Sequence, residues 1–192
     1  MTKLMAIVTA SLLIAAASVA AAKGARQVKV PVNFIDKSGI GKPAGTITIS
    51  ETADGLQLVT ALKGLPPGEH GLHLHENGSC APADKDGQPS AGEAAGGHYD
   101  PAATKAHKGP AGGGHKGDLP KLVVGPDGTA NVELKAPGLS LADVAGRALV
   151  IHEGGDNYSD TPKPLGGGGP RIACGVVPAS SMLGAAGTKP VK

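Results

Sequence analysis

The stretch GEHGLHLHENGSC (residues 68–80) carries His70, His73 and His75 within six positions, in a chain of 192 residues that has only seven histidines. Its centre, HLH, alternates imidazole with leucine. Strand side chains repeat every second residue, so in an extended segment His73 and His75 share one face. Two imidazoles on one strand face can reach a single metal ion, or they can be polar groups on a solvated face. The segment alone leaves both readings open, and its surroundings have to decide.

Outward from it, short apolar or alternating runs recur: VKVPVNFI (28–35), AGTITISE (44–51), LQLVTALKG (56–64), GLHLHE (71–76), KLVVG (121–125), TANVELKA (129–136), RALVIHE (147–153) and RIACGVV (171–177). Turn signals such as ADG, LPPGE and GPDG punctuate them. Eight short strands with almost no helical periodicity predict an all-β fold, an antiparallel sandwich or barrel. LSLADVAG supplies at most a helical turn. With one Phe, two Tyr and no Trp, against 31 Gly and 16 Pro, any core must come from Val, Leu, Ile and Ala. Two segments break the strand pattern, Asn77 to Pro120 and Gly154 to Pro170, both rich in Gly, Pro and charge. Loops of that length in a compact domain are functional or disordered.

The first residues, MTKLMAIVTASLLIAAASVAAAKGARQ, read as a targeting segment: a basic Lys3, an apolar stretch over 4–16, and the small residues SVAAA. The expected organisation is a cleaved signal peptide over 1–22, one domain over 23–178, and a low-complexity tail over 179–192. A retained anchor is the alternative, and the small-residue run after so short an apolar stretch argues for removal. No other stretch approaches the ~20 apolar residues of a membrane span. The mature chain is therefore expected to be soluble and exported. Export permits a disulfide between Cys80 and Cys174, the only cysteines, with two free buried thiols as the alternative. Closing so long a loop stabilises by roughly 4–5 kcal/mol in the chain-entropy account. A net charge of +2 without basic runs excludes nucleic acid as an expected partner.

The remaining histidines are His98, His107, His115 and His152. A single loop histidine is ordinarily a solvated one. GGHYDPAATKAHKGPAGGGHKGDLP, however, spaces three of them at intervals of nine and eight and adds Asp118 three residues on. Three imidazoles and a carboxylate can form a tetrahedral zinc site, and an all-imidazole set suits tetragonal copper. The histidine count serves both sites if one residue is shared. HEN and HEGGD begin like a zinc-protease helix but lack its second histidine. No nucleophile elbow or phosphate loop occurs, and the triplets NGS and NYS carry no weight as glycosylation acceptors.

On GEHGLHLHENGSC, AGGHYDP, KGPAGGGHKGDLPKL, RALVIHEGGDNYSD and LGGGGPRIACGVV, the chain closely resembles the copper/zinc superoxide dismutases, specifically the exported bacterial kind, over nearly the whole mature sequence. The resemblance implies an eight-stranded Greek-key β-barrel or sandwich, immunoglobulin-like, with two long functional loops, in a periplasmic enzyme that dismutates superoxide to oxygen and hydrogen peroxide. It implies copper on His73, His75, His98 and His152, zinc on His98, His107, His115 and Asp118, and His98 as the shared ligand. Reduction of copper is then expected to release His98, which takes up a proton for the product. Asp156 would link the outer nitrogens of His73 and His107. Arg171 would steer the anion, held by the Cys80–Cys174 bridge, and His70 would be structural, bonded to backbone.

Pro170 before Arg171 departs from the family's usual small residue, and HEGGD lacks the lysines of many relatives. Lys108, Lys116 and Lys163 are basic residues near the site in sequence, with none singled out. Other classes are a non-catalytic copper-binding or copper-delivery protein of the same fold, and an immunoglobulin-type interaction module. Loss of a zinc ligand or of Arg171 would favour the copper carrier, and neither is lost. Monomer and homodimer are both open.

Overall fold

The structure, a computed structural model, describes residues 26–182. The signal peptide expected over 1–22 lies outside the described residues, as does the tail from residue 183 onward. Alternation builds the first part of the fold. β1 (Gln27–Asp36), β2 (Gly39–Thr52) and β3 (Gly55–Lys63) form a meander that turns Val30, Val32, Ile47, Ile49, Leu56, Leu58 and Leu62 to one buried face. β4 (Gly68–His70) and β5 (Leu72–His75) follow. The first long loop then holds a small hairpin, β6 (Ala83–Lys85) with β7 (Gln88–Ser90), and a 3-10 turn over Glu93–Ala95. Beyond it come β8 (Leu122–Val124), β9 (Thr129–Ala130), β10 (Glu133–Pro137), the helical turn α1 (Leu141–Val144), β11 (Ala148–His152) and β12 (Arg171–Val176).

Eight of these strands make one curled antiparallel sheet in the order β10-β3-β2-β1-β12-β11-β5, with β9 also beside β3. β12 returns from the far end of the chain to pair with β1, the long-range closure of a Greek key. Eight strands are thus present as expected, but their membership differs in two places. KLVVG does not join the sheet: β8 pairs with β4 as a separate ribbon. Gly71 breaks the line between β4 and β5, donating its N–H to Gly154 O at 2.8 Å and accepting from His152 N–H at 2.9 Å. TANVELKA is interrupted between β9 and β10, where the Thr60 hydroxyl steps into the ladder. It donates to Ala130 O at 2.7 Å and accepts from Val132 N–H at 3.1 Å.

α1 carries a capping box, with Ser140 and Asp143 satisfying each other's backbone N–H. The expected tail begins with a 3-10 turn over Ala179–Met182, packed near α1.

β5 and β11 are buried on both faces. Leu72, Leu74, Leu149 and Ile151 enter the main core. On the opposite face, Ala148 and Val150 join Ile35, Cys80, Ala95 and Cys174 in a second apolar cluster beneath the first long loop. The alternation of HLH is thereby resolved: leucines inward to hydrocarbon, histidines outward to a space roofed by the loops. That loop also lies along the free edge of β5, with Leu74 N–H donating to Gly117 O and Tyr99 N–H to Leu74 O, at 2.9 and 2.8 Å.

Candidate metal centre

His73 and His75 leave β5 opposite Val150 and Ala148 of β11, and His152 ends β11. His98 reaches the same space from the loop, paired in a β-bridge with His75. Each strand imidazole has one nitrogen committed to the protein. His73 Nε2 bonds Asp156 Oδ2 at 2.8 Å, His75 Nδ1 donates to Gly96 O at 2.9 Å, and His152 Nδ1 donates to Gly169 O at 3.0 Å. Carbonyl oxygens only accept, so His75 and His152 carry their protons on Nδ1 and present bare Nε2 atoms. Those two atoms lie 3.4 Å apart. Two lone pairs cannot bond each other, and a cation between them resolves the contact. His73 Nδ1 and His98 Nε2 are buried without any partner. Four nitrogens without protein partners therefore converge from His73, His75, His98 and His152, all within 4.8 Å of one another.

A second set shares His98. His98 Nδ1, His107 Nδ1 and His115 Nδ1 stand 3.0, 3.0 and 3.3 Å from the same Asp118 Oδ1. One oxygen cannot accept from three rings at once, and His107 Nδ1 makes no hydrogen bond despite its distance. Three imidazoles and a carboxylate are the donor set of a tetrahedral zinc site. His107 Nε2 bonds Asp156 Oδ1 at 2.8 Å, so Asp156 ties His73 of one set to His107 of the other. Gly166 makes room for this carboxylate: at φ +70° it suits glycine, and a Cβ there would overlap Asp156 Oδ1.

Burial, opposed only in part by the carboxylates of Asp118 and Asp156 or by the carbonyls of Gly96 and Gly169, pushes His98 down to about 4 and His152 to about 3, and lowers His73 and His75 too. These rings are neutral at neutral pH, the form a metal requires. His107 goes the other way: burial disfavours its charge, but the Asp118 carboxylate 3.0 Å away and the hydrogen bond to Asp156 prevail and raise it to about 9. Burial would raise Asp118 and Asp156, yet their histidine hydrogen bonds hold both well below the usual carboxylate range.

Arg171 opens β12 and donates from Nη1 to Gly92 O at 2.6 Å and from Nη2 to Gly96 O at 2.8 Å. Gly96 O thus serves both Arg171 and His75. Burial lowers the guanidinium's pKa, but an arginine keeps its charge at any working pH. A disulfide joins Cys80 to Cys174, with Cα atoms 5.7 Å apart, fastening the first long loop to β12 three residues from Arg171. His70 sits outside both donor sets, its ring nitrogens 2.7 Å from His152 O and 2.8 Å from Pro66 O. Lys116 is engaged with Asp143 at 2.6 Å. The backbone carbonyls of Gly96 and Gly169, which fix two rings, had no sequence signal, since every residue has a carbonyl.

Fold and donor sets together define a β-sandwich protein built around a bimetallic centre, one site all-imidazole and the other with a carboxylate. A family profile described as copper/zinc superoxide dismutase matches residues 43–177. A superoxide dismutase [Cu-Zn] of Escherichia coli is 54% identical over 168 residues, covering 87% of this chain and 97% of that protein. The structure of the Cu/Zn superoxide dismutase from Brucella abortus superposes with a TM-score of 0.77 at 50% identity, covering 79% of this chain and 99% of the other. The monomeric copper, zinc superoxide dismutase from Salmonella enterica gives 0.71 at 58% identity, with the same coverage of each chain.

The chain belongs to the copper/zinc superoxide dismutase family. It is an oxidoreductase that dismutates superoxide, with copper and zinc as its cofactors.

Proposed function

We propose that His73, His75, His98 and His152 hold the copper, that His98, His107, His115 and Asp118 hold the zinc, and that His98 is shared between them. The observation that carries this reading is the pair of bare Nε2 atoms on His75 and His152, 3.4 Å apart with both Nδ1 protons committed to carbonyls. When bound, copper supplies the one-electron couple by which two superoxides and two protons become one oxygen and one hydrogen peroxide; zinc supplies no electron.

The chain's own groups do the rest. Arg171 draws the anion in and orients it, its guanidinium fixed by two carbonyls so that no reorganisation is needed on arrival. His98 Nε2, otherwise unpartnered, is the atom that carries a proton toward the departing peroxide. Asp156 keeps the His73 and His107 rings turned so that Nδ1 of each faces its metal. Competition with cytochrome c for xanthine-oxidase superoxide tests the assignment on the copper- and zinc-loaded chain. Activity is expected to vanish in His152→Ala and in the metal-free protein. Activity retained in His152→Ala would overturn the copper assignment.

We also infer that residues 1–22 are removed on export, that 23–178 form the enzyme domain, with 179–192 a tail, and that the enzyme works in the periplasm. Support comes from the basic, apolar and small-residue order of the leader and from the disulfide, which an oxidising compartment maintains. Among the described residues no helix is long and apolar enough to cross a membrane. All donors and Arg171 belong to one chain, so the donor sets need no residue from a second copy, and monomer and homodimer both accommodate them. Mass spectrometry of the periplasmic fraction and sedimentation of the purified enzyme test these readings.

A further inference from the structure

We propose that Glu93 is a counter-charge that attenuates Arg171, and that Lys85 sets how strongly it does so. The two form a charge-tuning element for anion entry that lies outside both metal donor sets. The inference rests on the reading of Arg171 as the anion's guide.

The geometry separates anchoring from charge. Arg171 is anchored by Gly92 O and Gly96 O, which flank the 3-10 turn Glu93–Ala95 on either side. Glu93 rides on that turn and brings Oε2 to 3.5 Å from Arg171 Nη2, an ion pair that adds no hydrogen bond to the two carbonyl contacts. The guanidinium therefore does not need the carboxylate to hold its place, and what Glu93 supplies is negative charge. The same Oε2 lies 3.6 Å from Lys85 Nζ on the β6–β7 hairpin. Side-chain exposure climbs from 11% at Arg171 through 22% at Glu93 to 58% at Lys85. Three charges of alternating sign thus run from the site out to solvent.

An incoming anion meets Arg171 diminished by Glu93, and Glu93 diminished by Lys85. The inner pair is sheltered and keeps its strength in salt, whereas the outer pair is exposed and is screened. Gly92, at the foot of the turn, keeps the arginine stem close: at φ +62° a Cβ there would come within 2.7 Å of Ile35 Cδ1 and 3.5 Å of Arg171 Cδ.

The test is the second-order dismutation rate by pulse radiolysis against ionic strength, with azide affinity read from the copper visible band. It uses the copper- and zinc-loaded wild-type enzyme, Glu93→Gln, Glu93→Asp, Lys85→Gln, the Lys85→Gln/Glu93→Gln double variant and Arg171→Gln. Glu93→Gln is expected to be faster by about twofold at ~10 mM ionic strength, a difference that closes toward ~1 M salt as long-range attraction is screened, and to bind azide more tightly by a similar factor that persists in salt because the inner pair is sheltered. Lys85→Gln is expected to be slower, and to lose that effect in the Glu93→Gln background. Glu93→Asp should return the wild-type salt slope, with metal content and the copper EPR spectrum unchanged throughout.

A Glu93→Gln enzyme equal to or slower than wild type at low salt overturns the proposal. Arg171→Gln separates the two failures. If it leaves rate and azide affinity intact, the reading of Arg171 itself falls; if it lowers both while Glu93→Gln gains nothing, only the role of Glu93 does.

Discussion

The four-imidazole half and the carboxylate-bearing half of the centre share His98 but are built by different means. In the first, three donors stand on β5 and β11, inside a hydrogen-bonded ladder, and two of them are oriented by backbone carbonyls. In the second, all four donors come from one loop between residues 98 and 118, and carboxylates do the orienting. A carbonyl takes the proton of a neutral ring and adds no charge, so the strand-borne half keeps uncharged imidazoles in a low-dielectric space. A carboxylate stabilises a charged ring, so the loop-borne half stores a proton on His107. The strand half thus offers a metal neutral rings with no proton to displace.

Substitutions can break this contrast. The largest effect is expected from His152→Ala, which removes a strand-borne donor: dismutation should drop to the level of metal-free protein while one zinc per chain is retained, as read by metal analysis beside the rate assay. Asp156→Asn touches both halves and should cost about 10–100-fold in metal affinity or activity. Zinc and copper should both be lost, since His107 and His73 give up the same carboxylate partner. Competition with a chromogenic chelator measures both.

Protons sharpen the same contrast. Below about 9 the metal-free His107 is charged, and zinc must displace that proton. Apparent zinc affinity should therefore rise by about tenfold per pH unit between pH 7 and 9 and then level off. Copper binding alone meets His98 at about 4 and His152 at about 3 and should release no proton over that range. Titration calorimetry in buffers of different ionisation enthalpy separates the two. A smaller effect is expected from Gly92→Ala, which strains a positive-φ residue by about 1–2 kcal/mol. It should lower the melting temperature and the rate modestly while leaving zinc content unchanged.

Much of this was legible in the sequence because periodicity and chemistry coincide there. His73 and His75 announce an outward face through the leucine between them, and the nine-eight-three spacing of His98, His107, His115 and Asp118 survives folding as one cluster. The break at Asn131, between β9 and β10, was not legible, because it depends on a hydroxyl from Thr60, seventy residues earlier. The exit of KLVVG from the sheet depends on Gly71 turning toward the second long loop, which no local pattern reports. Asp156 reads as an acid in a glycine-rich loop, and only the resemblance distinguished it. Glu93 escaped notice for a different reason: its partner Arg171 is brought alongside by a disulfide spanning 94 positions.

The alternation of β5 has a consequence for how the chain reaches its native state. Strand pairing can slip, and a shift of one residue sends every side chain to the opposite face. In β5 that error would drive His73 and His75 into the hydrocarbon and expose Leu72 and Leu74 to the space meant for metal. A slipped chain could not assemble the four-imidazole set, which needs both strand histidines of β5. Capture of a metal by that set would therefore favour the molecules whose sheet closed in the right register, so that the ion which equips the enzyme would also select its fold.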